Sequence, residues 1–409
     1  MMTRQQALRR FRVAVSLFFF IQGLVFAAWA NRIADIKRAL SLTDAQLGNV
    51  LFSIPIGQVC AMGLSAWLVN RYGSRRMIML AGFFYPCCLL PMGFSESPYA
   101  LSIALFFFGM AANLFNIAAN TQAIGVEHHY GKSIMASFHG LWSMGAFSSG
   151  AISMLFIAMG MPTRWHFTII FACACLLTFL VHGQLLRSDL RSLPSEKGTP
   201  AKRVPFYKVY KRVDGMIVLL GLICFCAMLC EGCMYDWSGV YFMQVVEAPQ
   251  ELVQLGYVVC MCTMTLGRFI TDRFVMRYGP SRIIRVCGLL IATGLLLAVA
   301  LPTVFWATLG FLLVGFGISS TVPICYSLAG NTRTMNSGTA VAAVTSISYL
   351  GFLIGPPMIG HVAHAISLHY TFALIACVGL LISLGASLLS ARSTPSLRMP
   401  RCVPGRWGR

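Results

Sequence analysis

Long apolar stretches alternate with short polar gaps along the whole chain. Twelve of these stretches approach the length of about 20 residues that a helix needs to cross roughly 30 Å of hydrocarbon. They lie near residues 13–31, 46–69, 77–94, 100–122, 134–158, 165–186, 216–236, 252–271, 282–301, 304–327, 338–360 and 370–390. The pattern predicts an all-α integral membrane protein whose 12 transmembrane helices leave both termini on one side of the bilayer.

One long polar stretch divides the twelve spans into six and six. We therefore expect an amino-terminal six-helix half (1–186), a basic linker (187–214), a carboxy-terminal six-helix half (215–391) and a basic tail (392–409). The halves look like repeats, because NRYGSRRMI at 70–78 returns 206 residues later as MRYGPSRII at 276–284. The same offset relates Gly109 to Gly315 and Gly145 to Gly351.

Composition and charge support the membrane interpretation. Hydrophobic residues make up 57% of the chain and charged residues 11%, which excludes an ordinary soluble domain. The net charge of +19 does not indicate nucleic-acid binding, because the chain has no polar domain of useful size. With both termini cytoplasmic, 27 of the 31 Lys and Arg residues face the cytoplasm, as the positive-inside rule requires. We expect a multi-pass protein in the lipid bilayer with no nucleic-acid partner.

The chain resembles the major facilitator superfamily over its whole length. The turn at 66–76 is similar to the family loop Gly-x-x-x-Asp-Arg-x-Gly-Arg-Arg, with Ala66 and Asn70 in place of Gly and Asp. The stretches AAWANRIADIK, NIAANTQAIGVE, FHGLWSMGAFSSG and EGCMYDW resemble a bacterial branch that includes the rhizopine-locus membrane protein. The resemblance implies two pseudo-symmetric six-helix halves, transport by alternating access in a bacterial inner membrane, and inositol-like or sugar-like solutes.

The resemblance also implies gating at the two basic turns. Glycine permits a sharp reversal there, and arginines can bond to helix-end carbonyls and to carboxylates in contacts that break when the halves rock. The gating candidates are Asn70, Arg71, Gly73, Arg75 and Arg76 with Glu127 as their partner, and Gly267, Arg268, Asp272, Arg273, Arg277 and Gly279. We expect Arg268 and Asp272 to form a pair. The alternative is that the arginines only fix topology.

Polar and aromatic residues within the spans are candidates for a substrate cavity. Asn113, Asn116 and Asn120 share one face of a helix, and amides and aromatic rings suit a sugar-like solute. The resemblance implies that spans 1, 4, 7 and 10 line the cavity. The candidates are Gln22, Phe26, Trp29, Asn113, Asn116, Asn120, Ser319 and Tyr326. Hydrogen bonding between helices and, for Trp29, an interfacial position are the alternatives.

Two titratable residues are candidates for proton coupling. Glu231 lies about 16 residues into span 7, roughly 24 Å along the helix, which places it in the outer part of the membrane or at its edge. A carboxyl group there is expensive and often functional. His139 in span 5 is the second candidate. A structural carboxylate and a packing histidine are the alternatives, and we expect Asp236 and Trp237 to mark the helix exit.

The remaining features narrow the function. No Gly-x-x-x-x-Gly-Lys-Ser/Thr loop is present, so we expect no ATP-driven pumping by this chain. All cysteines except Cys402 lie in or at the ends of spans and are interpreted as apolar fillers, with no metal site and no cofactor. We expect a monomeric secondary transporter, not an enzyme, for a small polar solute of the sugar or polyol type, driven by a proton or other ion gradient. Alternatives are a multidrug or metabolite efflux antiporter, and a membrane receptor or enzyme without transport.

Overall fold

A computed structural model describes residues 4–130, 134–186, 214–332 and 337–392. The linker expected at 187–214 and the tail expected at 392–409 lie outside these ranges, apart from Asp214 and Arg392. Two short 3-10 helices, His182–Gln184 and Gln250–Leu252, accompany the α-helices. The α-helices are α1 (Arg4–Ala30), α2 (Ile33–Ala39), α3 (Asp44–Leu51), α4 (Ser53–Tyr72), α5 (Ser74–Cys87), α6 (Leu89–Gly93), α7 (Pro98–Tyr130), α8 (Met135–Ala158), α9 (Thr163–Val181), α10 (Gly215–Gln244), α11 (Leu255–Tyr278), α12 (Pro280–Ala300), α13 (Val304–Gly330), α14 (Ser337–Ile366) and α15 (Leu368–Arg392).

Twelve helical segments within the described ranges are long and apolar enough to cross a membrane. The predicted number of spans is therefore confirmed. Span 2 consists of α3 and α4, and span 3 consists of α5 and α6. Pro86 lies in the last turn of α5, where the missing N–H of proline weakens the helix.

α7 and α10 extend furthest beyond their predicted carboxy-terminal ends. The apolar runs end near 122 and 236, but α7 continues to Tyr130 and α10 to Gln244. Asp236 and Trp237 are 7% and 0% exposed inside α10. The helix exit predicted there is wrong, because these polar side chains are covered by neighbouring helices rather than by water.

The repeated turn has the same geometry in both halves. Gly73 separates α4 from α5 at φ 84° and ψ 148°, and Gly279 separates α11 from α12 at φ 84° and ψ 154°. This backbone conformation is accessible to glycine and costly for other residues. The Arg71 and Arg277 guanidinium groups lie over the rings of Tyr72 and Tyr278, at 5.7 and 5.3 Å.

Helix packing follows the same 206-residue offset. A β-carbon at Gly109 of α7 would overlap the Ile54 carbonyl oxygen of α4, and one at Gly315 of α13 would overlap the Cys260 carbonyl oxygen of α11. Each glycine lets two helix backbones approach closely, as small residues do in membranes. The chain therefore folds as two pseudo-symmetric six-helix halves.

The two sides of the molecule can be named from the chain path. Twelve crossings return the chain to its starting side, so the turns at Gly73 and Gly279 lie on the same side as both helical ends of the described chain. We call this the terminal side. The distal side carries α2, the start of α3 and the 3-10 helix Gln250–Leu252.

The halves are joined on the distal side. α3 of the first half packs so closely on α14 of the second that a β-carbon at Gly360 would lie 2.6 Å from the Asp44 carbonyl oxygen. His361 Nε2 lies 3.1 Å from Asn49 Oδ1. Arg38 Nη1 donates to Gln250 Oε1 at 2.8 Å. These contacts close the distal side between the halves.

Candidate functional site

A cavity of about 350 Å³ lies between the two halves. The first half contributes α1, α4, α5, α7 and α8, and the second contributes α10, α11 and α14. The lining residues are Phe19, Gln22, Phe26, Gln58, Met62, Tyr85, Ala112, Asn113, Asn116, His139, Trp142, Met228, Glu231, Tyr235, Arg268, Tyr349 and Phe352. Amides, aromatic rings and one pair of opposite charges together suit a small polar molecule.

The charged wall of the cavity is formed by Glu231 and Arg268. Arg268 Nη2 lies 3.5 Å from Glu231 Oε1, and the side chains are 25% (Arg268) and 11% (Glu231) exposed. The Tyr235 hydroxyl donates to the same carboxylate oxygen at 2.8 Å. Arg268 Nη1 also donates to Ser143 Oγ of α8 at 2.5 Å. The pair of Glu231 and Arg268 in the second half is thus linked to the first half through the Ser143 hydroxyl.

The structure changes the setting of two residues of this wall. Glu231 lies near the middle of the 30-residue α10, because the helix extends past the predicted exit, and its depth in the membrane stays a prediction. Arg268 lies ten residues before the end of α11 and faces Glu231, so it belongs to the cavity rather than to the basic turn. The Asp272 side chain, its predicted partner, lies outside the part of the structure described.

Amide groups from the first half form the polar wall of the cavity that faces Glu231 and Arg268. The amide oxygens of Gln22 and Asn113 are buried and have no hydrogen-bond partner among the described residues. Asn116 is exposed to the cavity. Asn120 does not line the cavity, but its Nδ2 donates to the Asn116 backbone and side-chain oxygens at 2.8 and 3.2 Å. Two amide oxygens without a partner therefore belong to residues that line the cavity.

Aromatic rings from both halves cover one end of the charged wall. The Phe26 ring lies 5.4 Å from that of Tyr235 and 6.0 Å from that of Trp142. Trp142 and Tyr235 are 6.2 Å apart. Such rings can stack on the apolar face of a sugar ring or on a planar ligand. Across the halves, the Tyr349 hydroxyl donates to Gln58 Oε1 at 2.5 Å.

His139 is the second predicted titratable residue in the lining. Its side chain is exposed toward the cavity. The ring lies 5.2 Å from that of Phe19 in an edge arrangement. Glu231 and His139 therefore line the same cavity, from different halves of the protein.

Three predicted cavity residues besides Asn120 lie outside its lining. Trp29 is 0% exposed in the core. Ser319 is 2% exposed, and its hydroxyl donates to the Phe316 carbonyl at 2.7 Å beside Gly267 of α11. Tyr326 is half-buried and packs against the core of the second half. Trp29 lies on a face of α1 turned away from the cavity, whereas Ser319 and Tyr326 belong to α13, which contributes no residue to the lining. The expectation that span 10 lines the cavity is therefore wrong for this state.

Apart from Arg268, the gating candidates lie toward the terminal side. Glu127 has a different partner from the predicted one. Its carboxylate accepts from the backbone N–H groups of Ile134 and Met135 at 2.7 and 2.8 Å, so it caps the start of α8 instead of binding an arginine of the turn. Arg75 is half-buried, and Arg71, Arg76, Arg273 and Arg277 are exposed. The Asn70 residue also takes part in an interaction with another residue. Whether these residues gate transport remains a prediction.

Several residues of the site were missed in the sequence. Tyr235 follows Glu231 by four residues and Trp142 follows His139 by three, so helical spacing from the predicted residues would have found both. Gln58 and Tyr349 lie in spans 2 and 11, where no cavity residue was predicted, so helical spacing offered no such starting point. Gln122, which bonds to Ser74 at 2.7 Å and to Leu186 at 3.2 and 3.1 Å, holds the terminal-side ends of three helical segments together.

Twelve spans in two halves around a shared polar cavity define a membrane transporter. The chain belongs to the Major Facilitator Superfamily, whose family model matches residues 13–333. It is accordingly a secondary transporter and not an enzyme, it is embedded in the membrane, and its substrate is a small molecule.

Named relatives cover almost the whole chain. An uncharacterised MFS-type transporter of Yersinia pestis is 36% identical over 91% of this chain and 93% of its own length. Membrane protein MosC of Rhizobium meliloti is 29% identical over 90% of this chain and 88% of its own. The crystal structure of the nucleoside transporter NupG superposes with a TM-score of 0.75 at 12% identity, over 94% of this chain and 100% of that one; this shows the shared fold.

Proposed function

We propose that the chain carries a small, hydroxyl-bearing solute of the sugar or polyol class across the membrane by alternating access. The observation that supports this most is the pair of buried amide oxygens, from Gln22 and Asn113, that lack a partner among the described residues. A solute hydroxyl that donates to them removes the cost of leaving them unpaired. The cavity volume of about 350 Å³ lies at the low end of the range for small-molecule sites, roughly 300–1,000 Å³.

The transport cycle would be coupled to an ion gradient through the cavity wall. Glu231 is the first candidate for carrying a proton and His139 the second. Neutralising Glu231 would weaken its contact with Arg268 and, through Arg268, the link to Ser143 of the other half. We expect Glu231→Gln to retain solute exchange but lose gradient-driven accumulation, whereas full pH-dependent accumulation by this variant would argue against the coupling role.

The proposed orientation places the terminal side in the cytoplasm of a bacterium. The distribution of Lys and Arg favours this side for both termini, even with Arg268 removed from the count of loop residues. The closed distal side then faces outward and the cavity is in an inward-facing state. We propose a monomer in the inner membrane, because both halves of the cavity come from one chain.

Efflux of drugs or metabolites is the second candidate function. Met62 and Met228 line the cavity beside the aromatic rings, and flexible methionines suit binding of varied apolar ligands. An exporter of lipophilic cations would use the same Glu231 carboxylate as a counter-charge. The two functions therefore differ in the ligand class that stabilises the protein.

A thermal-shift screen of the purified protein separates these functions. The ligands would be sugars, polyols, amino acids and cationic drugs, because a ligand that binds the folded state raises the apparent melting temperature. We expect stabilisation by a sugar or polyol that is lost in Asn113→Ala and retained in Asn331→Ala, an exposed asparagine at the end of α13. Stabilisation by lipophilic cations alone would favour the exporter.

A further inference from the structure

Span 7 contains a second carboxylate, Asp236, that does not line the cavity. It lies five residues beyond Glu231 in the distal part of α10 and is 7% exposed. Within the described ranges its carboxylate has no hydrogen bond and no ion pair. A carboxylate in such a place is costly in its charged form unless a proton or a cation neutralises it.

Unpartnered polar atoms lie on α11, which packs beside it, and on its N-cap residue Gln254. A β-carbon at Gly239, one turn beyond Asp236, would lie 3.0 Å from Gln254 Oε1. Tyr257 lies one turn beyond Gln254, so helical spacing brings Asp236 and Tyr257 to the same interface between α10 and α11. The Tyr257 hydroxyl and both polar atoms of the Gln254 amide are buried without a partner in the described chain.

Basic side chains nearby are already paired. At α2, a segment of the first half that packs on α10, the N-cap residue Arg32 pairs with Asp35 at 2.8 Å and Lys37 pairs with Asp44 at 2.5 Å. Arg268 of α11 pairs with Glu231. The titratable neighbours of Asp236 on α10 and α11 are the Cys233 thiol and the Tyr257 phenol, which supply no positive charge.

This cluster of Asp236, Gln254 and Tyr257 borders the junction between the halves. A β-carbon at Gly150 of α8 would lie 3.3 Å from the Tyr257 ring. Gln250, one turn before Gln254, accepts the hydrogen bond from Arg38 of the first half. Separation of the halves on the distal side would therefore give water access to the cluster.

We propose that Asp236, together with Gln254 and Tyr257, binds a monovalent cation, either a proton or a sodium ion, when the distal side is closed. A sodium ion would be held by carboxylate, amide and phenol oxygens. A proton would convert Asp236 into a donor for one of the unpartnered oxygens. In both cases distal closure takes up one cation and opening releases it.

The proposal gives the transporter a coupling site outside the solute cavity. Its role in transport rests on the proposed function, but cation binding and its effect on distal closure do not require a solute. The test therefore uses the solute-free protein, so that failure of this proposal and failure of the proposed function are distinguishable.

The experiment measures distal opening in the full chain in nanodiscs. Spin labels are placed through non-cysteine unnatural amino acids at Glu96 and Thr303, which are exposed distal positions in the two halves, and their distance is followed by pulsed electron resonance. We expect the ratio of closed to open protein to change by up to about tenfold per pH unit or per tenfold change in sodium. A pH response without sodium identifies the proton, and a sodium response at fixed pH, absent with potassium, identifies sodium. A ratio that responds to neither overturns the proposal.

Variants show whether the dependence of distal closure on pH or sodium comes from Asp236. Asp236→Asn is neutral and should abolish the cation dependence, whereas Glu251→Gln, an exposed carboxylate of the distal 3-10 helix, should retain it. Wild-type dependence in Asp236→Asn overturns the proposal. If that variant does not fold, Tyr257→Phe keeps the ring packing and removes the hydroxyl; a severalfold weaker cation response supports the site, and an unchanged response overturns it.

Discussion

At the scale of single residues, the contacts of Glu231 define the chemistry of the cavity. Arg268 and the Tyr235 hydroxyl both contact Oε1, which leaves Oε2 to accept from a solute hydroxyl. The long Arg268 contact of 3.5 Å holds a counter-charge nearby without a tight ion pair. Such a pair can rearrange during transport at a modest cost.

Removing one partner of this pair should destabilise the protein more than removing both. Arg268→Met leaves Glu231 without its counter-charge, and we expect a loss on the order of 2 kcal/mol, below the roughly 3–5 kcal/mol of fully buried pairs because the cavity admits water. The double variant Glu231→Gln with Arg268→Met should recover part of this loss. Chemical or thermal unfolding in detergent measures both.

Arg273→Met is the matched control, because Arg273 is an exposed arginine on the same helix. It should change stability by less than about 0.5 kcal/mol. Equal losses in Arg268→Met and Arg273→Met would show that the pair with Glu231 has no measurable coupling energy.

The positions of single residues in the cavity could be predicted from the sequence only in part. Helical spacing correctly brought together Gln22 with Phe26 and Asn113 with Asn116, because residues three or four apart share a helix face. Trp29 follows the same spacing but lies in the core. Arg268 was assigned to the basic turn because of its neighbours in sequence, and its partner on another helix could not be deduced from α11 alone.

At the scale of elements, the repeated turn connects sequence with backbone geometry. The agreement of φ and ψ at Gly73 and Gly279 follows from one local sequence used twice. Helix ends were predicted less well, since hydropathy detects the hydrocarbon-crossing part and misses polar turns covered by protein. The extension of α10 is an example of this limit.

Alanine at either turn glycine should have the same effect. No atom lies within 4 Å of a β-carbon at Gly73 or Gly279 among the described residues, so Gly73→Ala and Gly279→Ala would introduce backbone strain alone, of about 1–3 kcal/mol each. Gly183→Ala is the control, because Gly183 has similar open space and no positive φ. Unfolding measurements that find no difference among the three variants would contradict the strain argument.

At the scale of the whole molecule, the number of spans and the division into halves were predictable, but the conformational state was not. The apolar pattern and the 206-residue repeat are properties of the sequence in every state of the cycle. Closure of the distal side depends instead on contacts between distant segments, such as Gly48 of α3 with Gly360 of α14. Alternating access requires that these contacts form in one state and break in another.

A larger residue at the distal contact should favour the distal-open state. In Gly360→Val the side chain would meet the Asp44 carbonyl and Gly48, and we expect a longer distance between labels at Glu96 and Thr303. Gly63→Val is the control, because no described atom lies within 4 Å of a β-carbon there. A distance distribution in Gly360→Val that matches the wild type would mean that α3 and α14 do not control closure.

The central claim, that a polar solute crosses the membrane through this cavity, is tested most directly by flux. Proteoliposomes would be given a sugar or polyol that stabilises the protein, under an imposed proton or sodium gradient, and uptake of labelled solute would be followed. The account predicts saturable uptake that is abolished in Asn113→Leu, which removes an amide acceptor, and retained in Asn331→Leu. Solute binding without uptake, or uptake that Asn113→Leu leaves unchanged, would contradict it.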